Sequence, residues 1–404
     1  MDVTVCRPGE LTAAERAVWT SLQAKAHLNG APQLGNPFLA PEFALAVGRC
    51  RGDVRIAVAR GADGEPAAFF PYQRTAFGVG RAIGLGLSDC QGVVHRPGFA
   101  FEAGELLRAC GLSVWEFDHL AADQPGFGGS ATASFASPVI DLEGGFEEYA
   151  SRLRARSASF YRTTRYKDRK LGRRVGEVRY VHDERDPAML RVLMAWKSAQ
   201  YRRTGRSDRF AKRWIVHLLH QLFHTRSDSF AGRLSVLYAG SAPVAAHFGL
   251  RSERVHTCWF PAYDPQFAQY SPGLVMHLRM AEAAAAEGVH QLDLGRGEKA
   301  YKESLKTGDL TVHEGWASRA HPVALGHRAR RAPLRALRNT VQTTPALYRP
   351  ADRLLRGVGA LRAGRAGERE ERRRGHTDHT DDSGAGPARA PEAERPDTSR
   401  GDRG

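Results

Sequence analysis

The sequence predicts an α/β protein of two domains followed by an extended tail, and three observations predict it. A chain of 404 residues has room for two cores. Between Gly232 and Gly308 the apolar residues alternate in twos, then recur every three to four positions, then alternate again. That is the pattern of an antiparallel meander feeding a strand–helix–strand crossover. Beyond Gly364 the composition turns to Arg, Glu, Asp, Gly, Pro and Ala with almost no apolar residue. Such a segment cannot bury enough surface to offset its chain entropy and is expected to be disordered.

Taken in order, residues 1–143 read as a first α/β domain. A helix is expected over Leu11–Leu28, with Leu11, Ala14, Val18 and Leu22 on one stripe, and Pro41 opens a second helix through Val47. Val54–Ala59 and Ala67–Tyr72 read as paired strands joined by the Asp63-Gly64 turn. The glycines at 78, 80, 84 and 86 lack the GxGxxG spacing of a dinucleotide loop and read as turn glycines. Residues 144–180 read as a connecting helix that becomes strongly basic, from Arg152, Arg154 and Arg156 to Arg173 and Arg174, with Phe160, Tyr161 and Tyr166 interleaved. Arginines with stacking rings are what a polyanion site would use, tRNA or an anionic glycan among them.

Residues 181–320 read as the second domain. Helices are expected over Arg191–Arg202, closed by Thr204-Gly205, and over about 208–224. His217, His220 and His224 share a face of the latter, but no carboxylate or cysteine stands in register, so no metal is expected. Leu234, Val236 and Tyr238 mark a half-buried strand, Val244–Leu250 the next and Val255–Phe260 a third. Ser271 at the N-cap and Pro272 at the first helical position open a helix whose Leu274, Val275, Leu278, Ala281 and Ala285 share a face. Gly288 stands where that helix should stop, and Leu292 and Leu294 mark a fourth strand. Residues 321–404 carry short amphipathic patches, then the charged tail.

The formal net charge of +15 comes mostly from arginine and favours anionic partners: CoA phosphates, nucleic acid, acidic glycan or an anionic membrane surface. Five scattered cysteines without CxxC spacing argue against disulfides and zinc. The N-terminal stretch has no apolar signal core, and no apolar run approaches the ~20 residues of a membrane span. The expectation is a cytoplasmic protein.

A helix N-terminus with free N–H groups is a natural pyrophosphate site, and Ser271, Gly273 and Leu274 stand at one. Ser271-Pro272-Gly273, Asp293-Leu294-Gly295 and Tyr301-Lys302, with Trp196-Lys197, Gln200-Tyr201 and Thr204-Gly205 upstream, resemble the acyl-CoA-binding half of GNAT-type N-acyltransferases. More narrowly they resemble the CelD/BcsL group, associated with cellulose and exopolysaccharide biosynthesis. The resemblance covers roughly 146–314; Asn36-Pro37-Phe38 and Leu87-Ser88-Asp89 extend it weakly upstream. It implies tandem GNAT-like domains with mixed sheets, acetyl-CoA or another acyl-CoA as co-substrate, and direct attack by the acceptor. The acceptor it implies is an amine or hydroxyl of a sugar or polysaccharide precursor.

The same resemblance implies Tyr301 as general acid, a backbone N–H within 257–260 on the thioester carbonyl, and Trp259, Phe260, Gln269, Ser271, Gly273, Leu274 and Lys302 around the cofactor. Gln269 with Gly273 stands in for the usual Q/RxxGxG/A loop. For the base, Asp264, Asp293 and His247 are the candidates, histidine having the best-placed ordinary pKa. Two alternatives stand beside this reading. Fem-type aminoacyltransferases share the doubled architecture and draw on charged tRNA, which the basic helix would suit. A binding subunit of a polysaccharide assembly would keep the fold without the chemistry.

Overall fold

The computed structural model describes residues 2–122, 124–297 and 299–320, so the expected tail at 321–404 lies outside the described residues. The first half runs β1 (Asp2–Cys6), α1 (Ala13–Ala24), α2 (Pro41–Cys50), β2 (Val54–Arg60), β3 (Pro66–Arg74), β4 (Val79–Ala82), β5 (Val94–His95), α3 (Ala103–Ala109), β6 (Val114–Ala121) and β7 (Ala131–Asp141). Helix α4 (Gly145–Arg174) leads to β8 (Val178–Val181), α5 (Pro187–Arg203), α6 (Arg213–His224), β9 (Phe230–Ala239) and β10 (Ala242–Ser252). Then come β11 (Val255–Thr257), β12 (Phe260–Tyr263), α7 (Pro272–Ala286), β13 (Gln291–Asp293), α8 (Ala300–Leu305) and β14 (Gly308–Ser318).

Among the described residues, all fourteen strands belong to one sheet, in the order β1-β2-β3-β4-β6-β14-β7-β13-β11-β10-β9-β8, with β5 on β3 and β12 on β10. The last strand therefore lies between two strands of the first half. β14 runs antiparallel to β7 (Gly308↔Val139, Val312↔Phe135) and to β6 (Ser318↔Val114). β7 in turn pairs with β13 (Gln291↔Asp141). One apolar core crosses the seam, joining Trp19, Phe38, Phe43 and Phe69 to Leu218, Phe230, Phe248 and Trp259. Phe38 meets Trp259 edge-on at 5.0 Å.

Several expectations are met with shifted bounds. α1 starts after Thr12, whose side chain accepts from Glu15 N, and it buries Trp19 and Gln23 rather than a stripe through Ala14, which is exposed. The Asp63-Gly64 turn joins β2 to β3 as expected. β9 is buried on both faces rather than half-buried: Leu234 and Val236 point into the core that also holds Leu218 and Phe248, Leu237 and Ala239 into a second one with Val275 and Met276. A strand with helices on both sides has no solvent face to alternate toward. The basic helix α4 contains a break at Ser157 (φ −151°, ψ 69°). Helix α7 ends at Gly288, whose φ of +77° is the left-handed conformation a stop requires, with Val289 N–H reaching back to Ala284 O at 2.9 Å.

The third expected strand, Val255–Phe260, divides in two, and that division builds the site. β11 runs parallel to β13 through Val255↔Gln291 and Thr257↔Asp293, and Cys258 N–H still bonds Asp293 O at 2.7 Å. Beyond it, β12 follows β10 alone. Strands that were neighbours part company, and two cavities open where they do.

Candidate functional site

The first cavity, about 270 Å³, is lined by the start of α7 (Ser271, Pro272, Gly273, Leu274), by Tyr263 and His277, and by Lys197, Pro261, Lys299 and Tyr301. The second, about 410 Å³, lies toward the first half and is lined by Leu87, Asp89, Tyr201, Arg206, Arg209, Trp259, Gly295, Arg296 and Lys302. Lys197, Pro261, Lys299 and Tyr301 line both, so the cavities adjoin at these four residues.

At the first cavity, Ser271 has φ +49° and ψ +51°, an uncommon backbone for a residue with a side chain. It is the N-cap by position but not by side chain, whose hydroxyl accepts from Lys167 Nζ at 2.7 Å. The tight turn sends the N–H groups of Leu274 and Val275 to Ser271 O. Gly273 N–H makes no bond to a described residue. A β-carbon at Gly273 would meet only Tyr263, at 3.8 Å, so backbone is open to a ligand here. An open helix N-terminus beside an ammonium is an anion site by electrostatics.

Lys197 stands at the join. α5 buries Leu190, Leu193, Met194 and Lys197, one apolar face with a lysine at its last position. Its Nζ donates to Pro261 O at 2.8 Å. Burial, reinforced by the positive charges of Lys299, Arg206 and Arg209, pushes its pKa down to about 7. Beside it, burial raises the Tyr301 phenol well above its ordinary value, so the proton stays on. The Tyr301 hydroxyl makes no hydrogen bond to a described residue; its ring lies 5.5 Å from His277 and 6.0 Å from Lys299 Nζ.

The resemblance motifs converge on this place from both halves. Asn36 Nδ2 donates to Asp293 Oδ2 at 2.9 Å, and Asp293 Oδ1 accepts from Gly295 N–H at 2.9 Å. Burial, with Asp89 nearby, raises the Asp293 pKa to about 6. Gly295 turns with φ +72°, and a β-carbon on it would sit 3.1 Å from Asp89 Oδ2. Trp259 Nε1 donates to Leu87 O at 2.9 Å. Lys302, also buried, donates to Gly295 O and Arg296 O and so ties the loop after β13 to α8.

Other expected residues lie elsewhere. Asp264 lines neither cavity; its carboxylate accepts from Gln266 N–H at 2.9 Å and caps a short 3-10 turn. Gln269 is exposed in that turn, and Trp259 and Phe260 face the core as well as the second cavity. His247 is fully buried in β10, its ring 6.5 Å from that of His277, and lines neither cavity; burial, then His277, His182 and Lys197, holds its pKa far below the ordinary value. Lys306, beyond Lys302 at the end of α8, pairs with Asp309 and Glu303. Asp293 is hydrogen-bonded inside the seam. Among the described residues, no group of His, Cys, Asp and Glu is placed to hold a metal, and no helix is long and apolar enough to cross a membrane. His217 accepts a hydrogen bond from Gln221 Nε2.

Residues 158–303, which contain both cavities' second-half walls, match the family model described as an acetyltransferase (GNAT) domain. No curated protein matches the chain. Among solved structures, FemX is similar over 78% of this chain and 96% of its own, at 9% identity and TM-score 0.51. A conserved protein of unknown function from Bacteroides thetaiotaomicron VPI-5482 is similar over 78% of this chain and all of its own, at 10% identity and TM-score 0.50. A tandem GNAT protein from the clavulanic acid biosynthesis pathway is similar over 80% and 99%, at 12% identity and TM-score 0.43.

Proposed function

We propose that this GNAT-type acyltransferase moves an acyl group, acetyl by preference, from CoA in the first cavity to an amine or hydroxyl of a sugar or cell-envelope precursor in the second. The observation that carries the reading is the junction of two cavities at Lys197, Pro261, Lys299 and Tyr301. Transfer between two substrates without a covalent enzyme intermediate needs such a junction, where the reacting atoms meet within contact distance. The volumes, about 270 and 410 Å³, suit a thioester arm and a small polar acceptor. The sugar class rests on the resemblance of Ser271-Pro272-Gly273, Asp293-Leu294-Gly295 and Tyr301-Lys302 to the CelD/BcsL group.

The roles follow from position. Gly273 N–H and Lys167 hold the cofactor's pyrophosphate. Trp259 lies between the ladders of β11 and β12, and its backbone N–H makes no bond to a described residue; that backbone N–H donates to the thioester oxygen as negative charge develops there. The acceptor nitrogen attacks the carbonyl carbon, the C–N bond forms and the C–S bond breaks. Lys197, its pKa pushed down to about 7 by burial, takes the proton from nitrogen. Tyr301 passes a proton to the departing sulfur and regains one from Lys197, so that the net proton moves from nitrogen to sulfur. Asp293 and Lys302 keep the loop at 295–297 in place. Isothermal titration with acetyl-CoA tests the donor site: saturable binding lost in Gly273→Glu supports it, and unchanged affinity in that variant refutes it.

A second reading takes an aminoacyl group from charged tRNA, favoured by Arg154, Arg162, Arg169, Arg173 and Arg174, which are exposed on the helix that sends Lys167 to Ser271. Salt-sensitive tRNA binding, with no affinity for CoA, would select it.

A further inference from the structure

Among the described residues the second cavity gathers positive charge: Lys197, Arg206, Arg209, Arg296, Lys299 and Lys302 line it against one described carboxylate, Asp89. Arg296 is answered by Glu314 at 3.2 Å. Lys302 bonds two carbonyls, with Asp89 near. Arg209 donates to a neutral oxygen, Gly86 O, at 2.7 Å, and Arg206 and Lys299 form no ion pair among the described residues. Asp208 sits between these arginines in sequence, yet it is turned away. Its carboxylate accepts from Ser198 Oγ and Phe210 N–H and lies 3.7 Å from Arg202.

Like charges gathered around a half-enclosed space raise one another's energy, and the depressed lysine at the junction registers this. Such an arrangement persists where an anion completes it. Arg206 and Arg209 offer the planar, forked donors that phosphate oxygens accept, and Lys299, from the stretch before α8, adds an ammonium to the same cavity.

We infer that the acceptor carries a phosphate ester, seated on Arg206, Arg209 and Lys299 while its nucleophilic nitrogen or oxygen reaches the junction at Lys197 and Tyr301. This deepens the proposed function and rests on it. The substrate class is thus a phosphorylated or nucleotide-linked amino sugar rather than a neutral one. Seating the anion would also lift the Lys197 pKa, tightening its hold on the proton it takes.

Pyrophosphate is the probe, titrated calorimetrically into full-length protein already saturated with CoA, so that the donor's phosphate site is filled. Saturable binding is expected, weakened at least tenfold in Arg206→Gln and in Arg209→Gln, with CoA affinity unchanged in both. Absence of binding to the CoA complex, or equal binding in the variants, overturns the inference. Failure of CoA itself to bind instead overturns the function on which it rests. Matched acceptors give a second readout. kcat/KM for glucosamine 6-phosphate or glucosamine 1-phosphate is expected to exceed that for glucosamine by tenfold or more, and equal values would overturn the inference. An advantage of the 1-phosphate alone points to nucleotide-linked sugars as the source, of the 6-phosphate alone to free sugar phosphates.

Discussion

Replacing Lys197 with methionine separates activity from stability with opposite signs. Methionine matches the length and volume of the lysine stem among Leu190, Leu193 and Met194, so packing is kept. Burying an ammonium whose pKa falls from 10.5 to about 7 costs up to roughly 5 kcal/mol, at about 1.4 kcal/mol per tenfold. Losing the donor to Pro261 O returns about 1–3 kcal/mol of that, since the carbonyl is left unpaired. At pH 6, where both folded and unfolded chains hold the proton, the variant is expected to be more stable by about 2–4 kcal/mol.

Between pH 7 and 10.5 the unfolded wild-type chain binds the proton and the folded chain does not, so wild-type stability from this group rises with pH. The variant's advantage therefore shrinks across that window and reverses by about 1 kcal/mol near pH 10, as the missing hydrogen bond alone remains. Acyl transfer meanwhile falls by about 10²–10⁴-fold, the worth of a positioned base. Thermal melts of both proteins at pH 6, 8 and 10, with thiol release from acetyl-CoA as the activity assay, read all three effects. A variant less stable than wild type at pH 6, or a stability difference that does not move with pH, would refute the reasoning. In the wild type, kcat/KM is expected to rise tenfold per pH unit below about 7 and level off above it.

Tyr301→Phe should lower kcat by about 10–100-fold and leave acetyl-CoA affinity intact; equal turnover makes the ring a packing element. Gly273→Glu should abolish CoA binding with the circular dichroism spectrum unchanged, because a side chain fits there but a carboxylate meets the cofactor's phosphates. Asn36→Ala removes the donor to Asp293 and should cost about 1–3 kcal/mol, read by chemical denaturation; a silent change would mean that the seam does not depend on this bond. Val312→Asp buries a carboxylate in the middle of the sheet and should cost at least about 3 kcal/mol; a soluble variant with an unshifted melt would contradict the placement of β14.

The pattern between Gly232 and Gly308 was readable because each of its elements is local. Pro272 opens α7, Gly288 closes it, and the meander alternates. The break at Cys258–Trp259 was not readable, since both residues continue an apolar run and only the departure of β12 from β13 separates them. β14 carries the alternation Leu310, Val312, yet its neighbours lie roughly 170 to 200 residues back, and pairing register is not written in either strand alone. Among the site residues, Tyr301, Gly273 and Ser271 could be proposed from helix-start and resemblance signals. Asp264 misled because Asp-Pro is equally a capping signal, and the cap is the role it fills. His247 misled because an ordinary histidine pKa says nothing of a buried one. Lys197 was the missed signal: a lysine seven residues after Leu190, on a helix face otherwise apolar, is poorly solvated there, and a buried lysine of that kind is a candidate for function.

The position of β14 also sets an order of events during synthesis. β6 and β7 are complete by residue 141 but each lacks a neighbour until residues 308–318 have been made. Until then both strands present open edges, the templates on which chains pair wrongly. Contacts spanning so much of the chain are slow to form, because a long loop must close before they yield anything. The nascent first half therefore waits, sticky and incomplete, for a strand contributed by the second. Holding that intermediate apart from its neighbours is a demand that this topology places on the cell making it.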